Sequence, residues 1–511
     1  MTVWWAMLAA CTSPLDVSFV AGCDLDVAAA GGEGAVVEQA EPGCAGMELV
    51  EVTVEGDGAH RVEWFVGEDF VLPSVTGDST DATLRSIRLS GRWGVLGDSV
   101  ERWRLPWHST SPGRIEELPT TADPGFAGSD DSWWGSMVQG SDGAALVGAL
   151  SAASSQLAVS FGADGSLEVV WEVGEVVLGQ GGFVYLDPLM LAVGPEPDAV
   201  WERWLQSVGA QKSRRPPALP VAWRGEASEL PSALEAMTWS TFVVDSPSEQ
   251  AVADIVAAGA RAGTTFRPLE VAVDDPLVQD EPGWFLREPD GSLRVVNGHH
   301  VLDVLVAGAS DVVEEAVSER VEQGYDYLRV EGMAEAAKPS LRAEALPDAE
   351  AFALTMSAVE RGAQGALLVV DGPWLPSLGQ GDGLIGGQAA PQDRFLKAGA
   401  VHAWSEAAVA GSEDLDLVMA VVGGGGVIGD VVLDEAMADA RLATQVEGSR
   451  RGAILRWVLS NGWEVVVNAG DAPQSYDAPS ATSALTGEQW GGGTRELLPG
   501  AADAWLGLPS R

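Results

Sequence analysis

Tyr325-Asp-Tyr-Leu-Arg-Val-Glu331-Gly332 and the later run Gly365-Ala-Leu-Leu-Val-Val-Asp371-Gly-Pro-Trp374-Leu-Pro-Ser-Leu-Gly-Gln-Gly-Asp382-Gly-Leu-Ile-Gly-Gly-Gln388 decide how this chain reads. Side chains alternate along a strand, so Tyr325, Tyr327, Arg329 and Glu331 share one face while Leu328 and Val330 point the other way. A polar face that ends in a carboxylate is the layout of a strand serving a site. The second run is an apolar strand of the fully buried type that passes into a long Gly/Pro loop carrying acids and a tryptophan.

Outward from these two stretches, strand and helix alternate. Candidate strands are Val221 to Trp223, Ser240 to Asp245, Thr264 to Ala272, Val401 to Trp404 and Leu415 to Val422; helical stretches are Glu249 to Ala262, Ala309 to Gly324 and Ala349 to Gly362. Repeated β-α units of this length make a parallel α/β domain, and residues 220–448 suit a closed (β/α)8 TIM-type barrel. Before it, Met47 to Glu55, Leu167 to Val173 and Phe183 to Leu186 alternate between turn residues, so residues 11–198 read as a β-sandwich. Residues 199–219 form a short helix capped by Asp198 and a stiff linker, Arg214-Arg-Pro-Pro-Ala-Leu-Pro220. Residues 449–511 return to β, with Asn461-Gly462 as a hairpin signal. The expected fold class is multidomain β plus α/β: N-terminal β-sandwich, central barrel and small C-terminal β-sandwich.

The 511 residues, 46% of them hydrophobic, can bury a large core. A net charge of −46, with lysine only at positions 212, 338 and 397, excludes nucleic acid as a partner, because phosphate binding needs clustered cations. The acidity itself reads as a solvated surface. At the N-terminus a short apolar run precedes Leu8-Ala9-Ala10-Cys11, which resembles a bacterial lipobox. The expectation is a signal peptide over residues 1–10, lipidation at Cys11 and a place in the bacterial cell envelope with the lipid as the membrane contact, or secretion without it. Cys23 and Cys44 would then form one disulfide in an oxidising compartment.

The run Tyr325 to Met333 resembles the "DYLKWDM" strand of the melibiase-type α-galactosidases (glycoside hydrolase family 36-like), and Leu375 to Gln388 resembles their "LPSVGLVDGMRIGPD" loop. Pro220-Val-Ala-Trp223, Phe242 to Asp245 and Gly283 to Gly291 resemble, in order, their first strand, their "DDGW" strand and their "hPDW" segment. The resemblance implies a sandwich, barrel and small sandwich, a carbohydrate ligand and no cofactor or metal. It places Glu331 at the nucleophile position and Gln388 at the acid/base position, both substituted relative to the family's aspartates. Arg329 stands where the family has a lysine, Asp245 matches an aspartate that binds sugar hydroxyls although Ser246-Pro247 replaces its neighbours, and Trp284 and Trp374 are candidate apolar platforms.

A retaining glycosidase needs two carboxyl groups about 5 to 5.5 Å apart. Glutamate can attack, but a misplacement of roughly 1 Å costs about a hundredfold. Gln388 cannot give up a proton, and general acid catalysis is worth about 10²- to 10⁴-fold, about 3 to 5 kcal/mol of barrier. Asp382, shifted by a one-residue deletion in the loop, is a possible substitute acid; Asp371 and Glu406 are further carboxylates at expected strand ends. Two functions stand open: a retaining hydrolase on α-galactosides or related α-glycosides, and a catalytically inactive carbohydrate-binding lipoprotein, a pseudoenzyme. Val422 to Gly429 satisfies G-x-G-x-x-G, yet it closes the α/β region instead of opening it. His299-His300 with Asp303 forms no ligand set, since adjacent strand residues face opposite ways.

Overall fold

The computed structural model describes residues 18–19, 23–24, 30–31, 47–66, 70–93, 100–107, 114–119, 134–141, 143–161, 166–210, 220–236, 239–244, 248–288, 290–337, 346, 348–372, 374–385, 406–409, 426–429, 445–451, 453–486, 488–499 and 501–506. Cys11, Cys44, Asp245 and Gln388 lie outside them, so the lipidation, disulfide and acid/base expectations are not located. Cys23 is described only as part of a short strand pairing with Ser18–Phe19.

Among the described residues the N-terminal β region holds two large antiparallel sheets, one of nine strands and one of four, besides the short pair at Ser18–Phe19 and Cys23–Asp24. Alternating apolar residues turn one face of each sheet inward, and Trp64 of one meets Trp171 of the other edge to face at 6.0 Å. The Trp171 indole N–H donates to the Asp187 carbonyl at 3.0 Å. The fully buried Asp187 carboxylate accepts from the backbone N–H groups of Ala153, Ser154 and Ser155 and from two serine hydroxyls, tying down the turn at 151–155.

Helix α1 (Pro197–Ala210) follows. Pro197 opens it, since proline's fixed φ and missing N–H suit the first helical position. Asp198 therefore sits in the first turn and not at the cap. Trp201 and Trp204 pack edge to face at 4.9 Å, and the Trp204 indole donates to Ala149 O at 2.9 Å. Gly135 and Gly148 make that fit possible: a Cβ would come within 2.9 and 2.4 Å of the Trp204 ring. The helix also packs against the strand Gln445–Arg451, joining the sandwich to the C-terminal sheet.

Among the described residues the parallel sheet of the α/β region holds eight strands: β1 (Val221–Gly225), β2 (Thr241–Val244), β3 (Arg261–Phe266), β4 (Tyr327–Val330), β5 (Leu367–Val370), β6 (Gly383–Leu384), β7 (Glu406–Val409) and β8 (Gly426–Gly429). They pair in parallel in the order 6-5-4-3-2-1-8-7, the sequential order of a TIM-like barrel with the last strand beside the first. Laid flat, β4 and β7 would stand five strand spacings apart, roughly 24 Å. Arg329 on β4 nevertheless reaches Glu406 on β7 at 3.0 Å. Only a sheet curled around a lumen allows that contact.

Ala222, Val243, Tyr327 and Val369 fill the lumen as one cluster, whereas Phe242, Leu328, Val330 and Val370 face the helices. Helices α2 (Leu230–Ala236), α3 (Glu249–Ala257), α4 (Ala307–Glu322) and α5 (Asp348–Ala363) follow β1 to β4 in turn. The expected single strand from Thr264 to Ala272 is two. Pro268 has no N–H to give a ladder, so β3 ends at Phe266 and Glu270–Ala272 joins a separate three-stranded antiparallel sheet with Val295–Val296 and His299–Val301. Gly426–Gly429 is a strand rather than a phosphate-binding loop, which removes the dinucleotide reading of that segment. Val401–Trp404 and Leu415–Val422 lie outside the described residues.

The C-terminal region is one six-stranded antiparallel sheet among the described residues, not a two-layer sandwich. Trp457, Val465 and Val467 join the large core on one face, while Ile454, Val466 and Leu497 cover the other by the sheet's own curl. Asn461-Gly462 turns the hairpin between Ile454–Leu459 and Glu464–Asn468, with Gly462 at φ +83°.

Candidate active site at the mouth of the barrel

The strand alternation holds for β4 from Tyr327 onward: Tyr327 lies in the lumen cluster, and Arg329 reaches across the lumen to β7. Tyr325 departs from it. It precedes the strand and is buried with Leu328 and Val330 on the helix side. Glu331 follows the strand at its C-terminal end, where barrel enzymes keep their chemistry; its N–H donates to Phe266 O at 2.9 Å, which fixes it beside the end of β3.

Both carboxylate oxygens of Glu331 are engaged. Oε1 accepts from Arg329 Nη1, and Oε2 accepts from Arg267 Nη2 at 3.3 Å. Arg267 donates in turn to Glu270 Oε1 at 2.9 Å, and His299 Nδ1 lies 3.9 Å from Glu270 Oε2. Deeper in, Arg329 Nε donates to Glu406 Oε2 at 3.0 Å, and the Tyr327 hydroxyl donates to Glu406 Oε1. Opposite charges thus alternate from the fully buried Glu406 outward through Arg329, Glu331 and Arg267 to Glu270.

Burial alone would raise the Glu331 carboxyl, but Arg329, Arg224 and Arg267 outweigh it and hold it below the ordinary carboxylate range. Burial likewise works against the charged Arg329, and Glu406 and Glu331 more than compensate, so its pKa is raised. The Tyr327 hydroxyl is pushed well up, by burial first and then by Glu406, and stays a donor.

Asp371 follows β5 as Glu331 follows β4. Its Oδ2 accepts from Gly332 N at 2.8 Å and its Oδ1 from Met333 N at 2.6 Å. Burial pushes its carboxyl up to about 6, against the pull of those two N–H groups, and the neighbouring Glu331 charge adds to the rise.

Asp382 lies apart from Glu331. Its backbone N–H donates to Leu368 O at 2.7 Å and its Oδ2 accepts from Leu368 N at 2.9 Å, which puts it level with Leu368 and hence with Leu328. Glu331 stands three residues further along β4, roughly 10 Å toward the mouth, and the Asp382 carboxylate is buried. It anchors the turn into β6. Glu406 is likewise no mouth carboxylate: β7 begins at this residue, so it projects into the lumen.

Trp284 closes a short 3-10 turn and packs over the start of α4, where a Cβ on Gly308 would lie 2.2 Å from its ring, so one of its faces serves the fold. Trp374 opens the short helix after β5, and its side chain is outside the description. Arg267 and Glu270 were not signalled by the sequence. The only cue is an Arg-Pro step directly after a strand that leads toward the mouth.

An eight-stranded parallel sheet curled around a lumen, with charged side chains at the C-terminal strand ends and antiparallel β regions before and after it in the chain, is a TIM-like α/β domain between β regions. No protein-family model matches the chain, and no curated protein matches it. Solved structures do. TtGalA, an α-galactosidase from Thermus thermophilus solved in complex with p-nitrophenyl α-D-galactopyranoside, is 18% identical with a TM-score of 0.52, over 80% of this chain and 98% of that one. The galactosidase domain of the α-galactosidase-sucrose kinase AgaSK is 12% identical with a TM-score of 0.59, over 94% of this chain and 85% of that one. The GH36 α-galactosidase AgaA from Geobacillus stearothermophilus is 11% identical with a TM-score of 0.59, over 94% and 86%. At these identities the likeness is one of fold.

Proposed function

We propose that this chain is a glycoside hydrolase-like protein whose barrel mouth binds a carbohydrate of the α-galactoside type, and that Glu331 serves it as a fixed acceptor for sugar hydroxyls. The observation that carries this reading is the double engagement of Glu331. A carboxylate with one guanidinium N–H on each oxygen is ionised and oriented, and each oxygen keeps a lone pair that can accept a sugar hydroxyl. Attack on an anomeric carbon asks more, because the same two charge-assisted bonds draw electron density from whichever oxygen would be the nucleophile. Gln388 at the acid/base position supports binding over turnover, because its amide has no proton to give.

One observation favours hydrolysis instead. Asp371, raised to about 6, adjoins the ionised Glu331, the divergence that assigns acid and base in a carboxyl pair. Both oxygens of Asp371, however, accept backbone N–H groups, so its proton would have to leave a structural bond. Calorimetric titration with raffinose and turnover of p-nitrophenyl α-galactoside separate the readings, because an activated leaving group needs little acid help. Saturable binding that weakens at least tenfold in Glu331→Gln, without turnover, is expected. Turnover abolished by Glu331→Gln would replace the proposal with the retaining hydrolase.

A further inference from the structure

We infer that Asp371 is the positioning residue for Glu331: it latches the two peptide groups that follow Glu331 and so fixes where the acceptor carboxylate stands. The inference builds on the sugar-binding reading of the mouth but has its own test. Glu331 sits on the hinge between the last residue of β4 and the 3-10 turn Met333–Ala337. That hinge has little intrinsic stiffness, since Gly332 occupies φ +83°, where glycine is the least restrained residue.

Three contacts define the Glu331 to Met333 segment. The Glu331 N–H is tied to β3 through Phe266 O, and the N–H groups of Gly332 and Met333 each donate to one oxygen of Asp371. A single carboxylate on the neighbouring strand end thus sets both peptide planes after the functional residue. Charge-assisted bonds of this kind are roughly twice as strong as neutral ones. Gly332 also lies close to the Glu270 side chain, where an added Cβ would come within 3.1 Å of Oε1.

The latch depends on charge. Protonated, Asp371 keeps one good acceptor oxygen and turns the other into a donor facing an N–H. The groups around it are Glu331 at the end of β4, Arg267 after β3, Glu270 beside Gly332 with His299 against it, and Glu335 within the turn. The arginines around Glu331 hold it ionised, so mild acidification acts on this segment through Asp371, whose carboxyl is raised to about 6.

Hydrogen exchange of the peptide 331–337 in the wild-type chain reads the latch without any sugar. Corrected for intrinsic exchange, protection of the Gly332 and Met333 amides is expected to fall about tenfold from pH 7.5 to pH 5, the change in the ionised fraction of a carboxyl titrating near 6. Raffinose affinity is expected to fall by about the same factor, and in Asp371→Asn to be weaker and flat across the window. Unchanged protection overturns the inference even if Asp371→Asn fails to fold. A pH profile that survives in a folded Asp371→Asn variant comes from another group and overturns it too. If the wild-type chain binds no raffinose at any pH, the sugar reading fails while the exchange measurement still decides the latch.

Discussion

Arg329→Met is the perturbation that tests the charge chain most directly. Arg329 is 6% exposed at its side chain and joins Glu406, which is fully buried, to Glu331, which is 21% exposed. Removing the guanidinium takes from the fully buried Glu406 carboxylate its ion pair at 3.0 Å, while the Tyr327 hydroxyl stays among its partners. Breaking a buried pair in this way costs about 3 to 5 kcal/mol. Spread over a domain of 150 to 250 residues, that is a fall of about 6 to 20 °C in the melting transition. Glu406→Gln is milder, about 1 to 2 kcal/mol, because the amide oxygen still accepts from Arg329. Replacing the buried cluster as a whole, with Tyr327→Phe, Arg329→Met and Glu406→Leu together, is expected to recover at least half of the Arg329→Met loss, since the buried Glu406 charge is then removed along with the guanidinium that met it. Calorimetry, with the barrel transition resolved from those of the β regions, gives all three values. An Arg329→Met cost below about 1 kcal/mol, or a triple variant as unstable as the sum of its parts, would show that the lumen is wet enough to solvate Glu406, and the account of a dry, ordered charge chain would be wrong.

Two further predictions concern packing and pH. Gly148→Ala puts a Cβ 2.4 Å from the buried Trp204 ring, so an overpacking cost of about 1 to 3 kcal/mol is expected in the sandwich transition, with raffinose binding unchanged; a neutral result would mean that α1 is free to shift. Asp371 titrates near 6 in the fold against an ordinary 3.8, so the folded state binds the extra proton more tightly. Its contribution to stability is full below about pH 4 and is lost as pH rises through 6, by no more than about 3 kcal/mol. Denaturant midpoints at pH 5 and pH 7.5 should therefore differ less in Asp371→Asn than in the wild-type chain.

The acid latch and the acid fold act in opposite senses. Protonating Asp371 relieves the burial of its charge and stabilises the chain as a whole, yet it weakens the two bonds that aim Glu331. Loss of ligand affinity at low pH with a gain in stability is the combined signature, and acid unfolding does not produce it.

Local order was legible from the amino acids alone. Period-two alternation put Tyr327, Arg329 and Glu331 on one face and Leu328 and Val330 on the other, Asn461-Gly462 announced its hairpin, and the alternation of strand and helix gave a parallel α/β region, because each of these follows from backbone geometry within a few residues. The same reasoning overreached at Tyr325, which lies before the strand begins, and across Pro268, where the ladder stops. Depth and partnership were beyond it. Asp382 lies roughly three residues below the mouth because parallel register, not loop length, sets its level on β6. Glu406 meets Arg329 across 77 residues of chain only because the sheet curls on itself. A residue's own strand fixes the face it points to; which charge it meets there depends on how the parallel sheet curls, a property of its strands packed together and of no segment alone.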